Sequence, residues 1–588
     1  MLAVGITGHR ADVLPDGSVP ILRDRIRDAL ERIEQSGRAL LAAEQDCFGP
    51  TSPVMRFVSP IADGADQIAA EIAVDLGWDL QAIVPFERGV YRNSLANHGA
   101  RERYDALLER AACVLELPGD PDDSLDAYVM TGRATVAHCD VLLAVWDGLP
   151  PRGRGGTGEV VQLALTRGTA IIHVPLSPGG DTRVLWSAFD PTVLTVSDDP
   201  SVARPLERGD VDKLLRGLLM GPPDEVEQGF LRKFLSERSP RMRARVEYAL
   251  LLTATGVRRF RARDLTGRHA EAQIRDEWAR YRAGCAEAHN IKAPIGSLEE
   301  AYSWADRLAT HFAQTYRSGH IFNFVLGGVA VCLGLSAFMA PHLKLEFAAF
   351  ELLITFAIIA NAAIGSRNQW HRRWLDYRQL AERLRPMRSL KMLGIAAPDP
   401  PGTATNPVPL RWIDWYASGV WRAMGCPAGT IDRECAARLG VAIADHEVAP
   451  QVGYHEGNAK QINLLDHRLG QIGLLLFVAT LVVSVATIVG LGFGADFVNT
   501  YGNWFTLVSA GFPALGTAVF GIRFQGDFGG DALRSRATAE TLRQIDYELR
   551  KDVSLSRAAD LSEQAARIML GDLDEWRLVN QQRDLSVG

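Results

Sequence analysis

Cysteine is sparse in this chain of 588 residues, and no two cysteines form a Cys-x-x-Cys pair. The seven cysteines are odd in number and scattered from Cys47 to Cys435. Disulfide frameworks and structural zinc sites need cysteines at characteristic spacings, so the sequence predicts neither of them and no metal site. We therefore expect the soluble parts to lie in a reducing cytosol.

Net positive charge is also lacking. The chain has 63 Lys and Arg against 70 Asp and Glu, a formal net charge of −7 at pH 7. Dedicated nucleic-acid-binding domains are usually basic, so no nucleic-acid partner is predicted. The N-terminal apolar run is interrupted by Arg10 and Asp12, too early for a secretory signal. At about 150 residues per domain, the length predicts three to four structural units.

Short β-rich runs alternate with amphipathic stretches over about the first 196 residues. The runs are 2–6, 56–58, 80–84, 113–117, 141–146 and 170–174. This alternation predicts an α/β, Rossmann-like domain with a parallel sheet covered by helices. We place this domain at residues 1–205 and an arginine-rich helical connector at residues 206–310.

Ten basic residues lie close together in the connector, between Arg232 and Arg263. Such a surface could contact nucleic acid, but no recognition motif accompanies the charge. Basic residues beside membrane spans commonly face the lipid surface. The pattern therefore favours a juxtamembrane surface over a nucleic-acid surface.

Four strongly apolar runs follow, at 319–340, 347–364, 472–493 and 504–522. Each is near the about 20 residues that a helix needs to cross a bilayer, and four such helices would be hard to bury in a soluble core. They predict an all-α membrane region with four transmembrane helices in two repeated hairpins. The connections 341–346 and 494–503 hold one Lys or Arg, whereas several arginines follow each hairpin. Because positive charge resists translocation, both termini and the sheet domain are predicted to be cytoplasmic.

The pattern Arg-x-x-Ala-Glu-x-Leu-Arg occurs twice, at 378–385 and 536–543. The offset from 378 to 536 is 158 residues, and it also carries the middle of the second span onto the fourth. The sequence therefore predicts two copies of a hairpin-plus-helix unit, at residues 311–395 and 451–588. A helical insertion at 396–450, proline-rich at its start, separates them.

Three glycine-rich turns follow strands of the predicted sheet, and they hold the candidate ligand contacts. These are Gly5, Thr7, Gly8, His9 and Arg10; then Ser59, Asp63, Gly64 and Asp66; then Trp146, Asp147, Gly148, Arg154, Gly155, Gly156, Thr157, Gly158 and Glu159. Glycine lets the backbone approach a ligand, and a helix N-terminus attracts phosphate. Purely structural turns, with Ser or Asp as a helix cap, are the alternative. Convergence on one crevice would favour a nucleotide or nucleotide-like ligand, with no obligatory cofactor.

Four segments, GITGHR, SPIADGAD, VLLAVWDG and GRGGTGEVV, together resemble the SLOG superfamily over about residues 1–205. This Rossmann-like fold is shared by Lonely Guy hydrolases and the DNA-processing protein A family. WLDYRQLAERLR and RSRATAETLR resemble two-transmembrane SLATT modules, over most of residues 298–550. The resemblance implies a sensor of a nucleotide-derived signal in the bacterial inner membrane that responds by forming a pore in antiphage or conflict defence.

The resemblance to Lonely Guy hydrolases raises an enzymatic alternative, because these enzymes release the base from a nucleoside monophosphate. Arg133 and Glu159 match an arginine and a glutamate of their motifs, whereas Ala134 and Val160 replace a lysine and a second glutamate. Losing a carboxylate weakens stabilisation of an oxocarbenium-like transition state. Sensing is therefore favoured. A membrane-tethered nucleotide N-glycosidase with Arg133 and Glu159 as catalytic residues, and a membrane scaffold with a degenerate crevice, stay open.

Polar residues inside the predicted spans are candidates for a pore lining. They are Glu351 and Thr355 in the second span, Thr480, Ser484 and Thr487 in the third, and Ser509 and Thr517 in the fourth. Such residues can line water or bring helices close together, and both interpretations stay open for the third span. An intramembrane carboxylate such as Glu351 favours function. Since four spans rarely enclose a conducting path, a pore predicts a homo-oligomer.

Overall fold

The chain folds into a sheet domain followed by a helical region. A computed structural model describes residues 1–45, 48, 53–187, 203–238, 245–261, 264, 268–288, 291–399, 411–493 and 496–580. Part of the arginine-rich connector, including Arg241, Arg243 and Arg263, lies outside the described residues, as does most of the proline-rich segment, at 400–410.

Nine strands within the described residues form one sheet. They are β1 (Leu2–Gly8), β2 (Met55–Ser59), β3 (Asp79–Val84), β4 (Cys113–Glu116), β5 (Val141–Trp146), β6 (Ala170–Pro175), β7 (Arg183–Leu185), β8 (Ala203–Pro205) and β9 (Gly429–Thr430). Their order is β8-β7-β6-β5-β1-β2-β3-β4-β9. The two antiparallel pairs are those of β7 with β6 and with β8, and the other strand pairs of the sheet are parallel, so the predicted parallel-dominated α/β domain is confirmed. The short strands β7, β8 and β9 were not predicted because two or three residues give no periodic signal.

Six helices connect the parallel strands and cover the sheet. They are α1 (Val19–Ala43), α2 (Ala65–Asp75), α3 (Arg88–Ser94), α4 (His98–Arg110), α5 (Ser124–His138) and α6 (Thr157–Thr166). The central strands are continuously apolar, and all residues from Val141 to Val145 are buried, as expected where helices cover both faces. The chain proceeds from β1 through β2, β3 and β4 on one side, whereas β5 and β6 lie on the other. The strand order therefore reverses between β1 and β5.

The helical region contains fourteen further helices within the described residues. They are α7 (Arg208–Leu219), α8 (Glu225–Ser236), α9 (Glu247–Ala254), α10 (Arg268–Ala288), α11 (Gly296–Ser336), α12 (Lys344–Arg367), α13 (Trp370–Leu384), α14 (Met387–Leu393), α15 (Trp412–Met424), α16 (Arg433–Ile443), α17 (Ala449–Gly492), α18 (Asp496–Gly526), α19 (Phe528–Leu549) and α20 (Leu555–Asn580). A π-helical turn, Ala444–Val448, joins α16 to α17. The strand β9 lies in the predicted helical insertion and instead extends the sheet beside β4.

Four helices, α11, α12, α17 and α18, are long and apolar enough to cross a membrane. The most apolar stretch of α17 has none of its residues buried inside the protein, and that of α12 has 17%. A water-soluble protein rarely exposes so much contiguous apolar surface. The prediction of four candidate membrane-spanning helices is confirmed.

The four spans pack side by side, because α11 contacts both α12 and α18, and α18 contacts α17. Gly521 of α18 lies under the ring of Phe324 of α11, and Gly328 of α11 lies against Leu515 and Ala518. These contacts make α11 and α18 antiparallel. Small residues at the contact let the two helices approach closely.

The two hairpins share a backbone feature at the end of their second span. Gln369 separates α12 from α13 with φ of 51°, and Asp527 separates α18 from α19 with φ of 44°. A positive φ is uncommon for a residue other than glycine. The two positions are 158 residues apart, from 369 to 527, which is the offset of the sequence repeat. The hairpin and its following helix therefore recur as one structural unit.

One hydrophobic core joins the sheet domain to the helical region. Val58, Ile83 and Leu115 of the sheet domain belong to the same buried cluster as Leu390 of α14 and Trp412 of α15. All five residues are fully buried. Burial of this apolar surface stabilises the packing of the helical region against the sheet.

Candidate functional site

A cleft of about 350 Å³ lies at the carboxyl ends of β1 and β5. Its walls come from the turns after β1, β2 and β5 and from one side of α5. The predicted ligand contacts that line it are Thr7, Gly8, His9, Arg10, Asp66, Trp146, Asp147, Arg154, Gly155, Gly156, Thr157 and Gly158. The structure therefore brings residues of all three predicted turns together where the strand order reverses, the usual ligand position in an open parallel sheet.

The other predicted contacts do not line the cleft. They are Gly5, Ser59, Asp63, Gly64, Gly148 and Glu159. Ser59 accepts a hydrogen bond from the backbone N–H of Ile61 at 3.0 Å. Gly64 has φ of 104°, and a Cβ there would lie 2.6 Å from the backbone nitrogen of Ala11. Gly64 therefore allows the second turn to pack directly on the first.

The N-terminus of α6 forms one wall, through Gly156, Thr157 and Gly158. The carboxylate of Glu159 accepts a hydrogen bond from the N–H of Gly155 at 2.5 Å, which holds the turn in place. Gly155 has φ of 74°. The first N–H groups of a helix lack partners within it, and the helix dipole is positive at this end. This wall is therefore suited to an anion such as phosphate.

Basic side chains surround this wall. Nδ1 of His9 lies 3.4 Å from the hydroxyl of Thr157, and its Nε2 lies 3.6 Å from a carboxylate oxygen of Asp147. The guanidinium of Arg10 lies 4.8 Å from the centre of the Tyr128 ring. Arg154 is paired with Asp126 at 2.6 Å. His9 and Arg10 thus lie inside the cleft, whereas Arg154 is paired at its rim.

Asp66 is the buried acid of the cleft. Its side chain lines the cleft and is only 5% exposed, and its Oδ1 has no hydrogen-bond partner among the described residues. Burial raises the pKa of Asp66 to about 8, against the opposing effect of Arg10. At neutral pH this carboxyl is mostly protonated and can donate as well as accept a hydrogen bond. Buried polar atoms without partners are uncommon, so Asp66 is the strongest candidate for contact with the uncharged part of a ligand.

One wall of the cleft, formed by α5, was not predicted from the sequence. Tyr128, Thr131, Gly132 and Thr135 line the cleft. Their spacing of three and four residues places them on one face of a helix. That spacing was the available signal, but the same spacing is typical of an ordinary core-facing helix.

The two candidate catalytic residues are not brought together at the cleft. Arg133 is two residues from Thr131, about 200° around α5, and it pairs with Asp560 of α20 at 2.8 Å. Glu159 holds the N–H of Gly155. Neither side chain lines the cleft, so the arrangement supports ligand binding better than glycosidic cleavage.

The candidate pore residues occupy two different environments in the chain. Glu351, Thr355 and Thr517 are exposed on α12 and α18, whereas Thr480, Ser484, Thr487 and Ser509 are partly buried on α17 and α18. The hydroxyls of Thr480 and Thr487 donate to the backbone oxygens of Leu476 and Val483. These two hydroxyls therefore make their hydrogen bonds within their own helix, as residues at closely packed helix contacts can do.

Within the described part of the chain, no group of three or more His, Cys, Asp or Glu residues is arranged to hold a metal ion. No protein-family model and no curated protein sequence matches the chain. The cleft and the spans are thus the features that bear on function.

Proposed function

We propose that this protein is a membrane-embedded sensor that binds a nucleotide-derived ligand in its cytoplasmic sheet domain and gates or assembles a pore as a homo-oligomer. The observation that carries the proposal is the cleft at the strand reversal, with a helix N-terminus and a buried acid, in a chain with four apolar spans. The SLOG-like and SLATT-like motifs support a role in bacterial antiphage defence at the inner membrane.

The walls of the cleft suggest how such a ligand would lie. A phosphate would bind at the N-terminus of α6, beside His9 and Arg10. Asp66 would then contact a sugar hydroxyl or a base. The cleft holds about 350 Å³, within the range of small-molecule sites.

A route from the cleft to the spans runs through α20. Both α5 and α6 line the cleft. Arg133 of α5 pairs with Asp560 of α20, and Arg167, which follows α6, pairs with Glu563 of α20 at 2.6 Å. The helix α20 in turn packs against α13 and α19, which continue from the second and fourth spans. A ligand that binds two arrangements of α5 and α6 with different affinity would shift the spans through these contacts.

The sensing step is tested with the full chain in liposomes loaded with a dye. A panel of mono-, di- and cyclic nucleotides should include one that causes leakage. Gly156 has room for a side chain, so Gly156→Glu should fold and should abolish the response by placing a carboxylate at the anion wall. Gly179→Glu, an exposed change of the same charge, is the control. Leakage that ignores every nucleotide, or that survives Gly156→Glu, would contradict the proposal.

The coupling step is tested with Glu563→Gln, which weakens the pairing with Arg167. We expect nucleotide binding measured by calorimetry to be retained and leakage to fall. Glu548→Gln, which removes an exposed pair with Lys551, should change neither. Free base released from the nucleotides, and lost in Glu159→Gln, would instead support the N-glycosidase. No nucleotide binding at all would support the scaffold.

A further inference from the structure

Cys113 and Cys426 meet where the helical region joins the edge of the sheet. Cys113 is the first residue of β4, and Cys426 lies in the segment between α15 and β9. The strands β4 and β9 pair in parallel, with Leu115 opposite Gly429. The sulfur of Cys113 lies 3.8 Å from the backbone oxygen of Cys426. Two residues 313 positions apart are thus in contact.

The two thiols differ in exposure and acidity. Cys113 is partly exposed, whereas Cys426 is 5% exposed. Interaction with the Cys426 side chain lowers the pKa of Cys113, and Arg56 acts in the same direction, against the opposing effect of burial. Burial raises the pKa of Cys426 well above its ordinary value. A more acidic, accessible thiol beside a second thiol is the arrangement found in cysteine pairs that respond to oxidants.

We propose that Cys113 and Cys426 form a reversible disulfide on contact with a peroxide, and that this bond locks the helical region to the sheet domain. The Cys113 thiolate attacks the OH oxygen of the peroxide, the O–O bond breaks, and the departing oxygen takes a proton and leaves as an alcohol or water. Cys113 is then a sulfenic acid. The sulfur of Cys426 attacks it, the S–S bond forms, and water leaves with the thiol proton. The two thiols lose two electrons, which the peroxide gains.

The disulfide would lie at the interface between the sheet domain and the helical region, which already contains other hydrogen bonds. Arg56 of β2 donates to the backbone oxygen of Arg422 at 2.8 Å. Lys391 of α14 donates to the backbone oxygen of Gly425 at 2.9 Å. A covalent link beside these contacts would restrict movement of α14 and α15 against the sheet. Its effect on the response to ligand rests on the proposed function, whereas formation of the disulfide does not.

The test uses the reduced full chain in detergent, treated with an equimolar amount of hydrogen peroxide. Remaining thiols are then alkylated and peptides are analysed by mass spectrometry without reduction. We expect a peptide linking Cys113 to Cys426 that dithiothreitol separates. Cys113 should be oxidised about tenfold or more faster than Cys285, whose pKa burial raises to about 11, because each pKa unit changes the thiolate fraction about tenfold.

Variants identify the order of the two steps. Cys426→Ser should leave a sulfenic acid on Cys113 that dimedone traps, whereas Cys113→Ser should give neither product at Cys426. The matched controls Cys139→Ser and Cys435→Ser should still form the link. Equal oxidation of all cysteines, or a link from Cys113 to another cysteine, would overturn the proposal without affecting the nucleotide test. Leakage from liposomes is then compared between reduced and oxidised protein, as a separate measurement.

Discussion

Gly64 adopts φ of 104° where the second turn packs on the first, and a Cβ there would lie 2.7 Å from the backbone oxygen of His9. Backbone would have to move in Gly64→Ala, so we expect a loss of about 2–3 kcal/mol of stability and weaker ligand binding. Gly77 has φ of 81°, but no described atom lies within 4 Å of its Cβ position. Gly77→Ala should therefore cost only about 1 kcal/mol. Equal shifts of the two melting temperatures, measured in detergent, would contradict this account.

The buried carboxyl of Asp66 in the cleft makes the stability of the protein depend on pH. Its pKa in the folded protein is about 8, against about 4 in an unfolded chain. Between these values the folded state retains a proton that the unfolded state has lost, so the contribution of Asp66 to stability falls as pH rises from about 4 to 8. It is constant above that window.

Asp66→Asn should remove this dependence. We expect the melting temperature of the variant, relative to the unmodified protein, to rise steadily from pH 5 to pH 8. Asp105→Asn, which changes a half-exposed carboxylate paired with Arg92, serves as the control and should show no such trend. A constant difference for Asp66→Asn across this range would mean that Asp66 is ionised in the folded protein.

The helix α5 has two roles because its faces meet different parts of the molecule. One face lines the cleft. Its C-terminal end contacts the helical region, where the ring of His138 lies 2.9 Å from the backbone oxygen of Gly394, and Trp421 donates to the backbone oxygen of Ala137 at 3.0 Å. A displacement of α5 on ligand binding would therefore change its contacts with α15 and with the residue that follows α14.

The contact of α11 with α18 holds the two hairpins together. A Cβ at Gly521 would lie 2.3 Å from the ring of Phe324, so Gly521→Val should separate the helices and cost about 1–3 kcal/mol. Phe324→Ala in the same chain should recover much of this loss by making room. Gly473→Val, where the Cβ position is free of described atoms within 4 Å, should be neutral. Melting temperatures in detergent give the comparison, and equal effects at positions 521 and 473 would contradict the packing.

At the scale of the whole molecule, the spans and the charge beside them predict which parts share one side of the membrane. His342 lies in the short connection before α12, and Arg259 lies after α9; both are exposed. We expect His342→Cys to react with an impermeant maleimide in right-side-out vesicles and Arg259→Cys to react only in inside-out vesicles. The parent protein gives the background from its own cysteines. Labelling of Arg259→Cys from outside would reverse the predicted orientation.

Local pattern was enough to predict the main strands, the four spans and the glycine turns. Periodicity and continuous apolar runs are properties of neighbouring residues, and a helix or strand buries its face according to them. The repeat could also be found, because both of its copies keep the same spacing of buried Ala and Leu.

Contacts between distant residues could not be found in this way. The sequence motif made Arg133 a candidate catalytic residue. The direction in which its side chain points depends on the placement of α20, more than 400 positions later in the chain. The joining of β9 to β4 and the meeting of Cys113 with Cys426 also depend on where the helical region packs. The sequence alone thus determined the elements and the turns of this protein. The tertiary structure decided which side chains share the cleft and which cross to the helical region, because a long-range contact forms only when buried apolar surfaces bring its partners together.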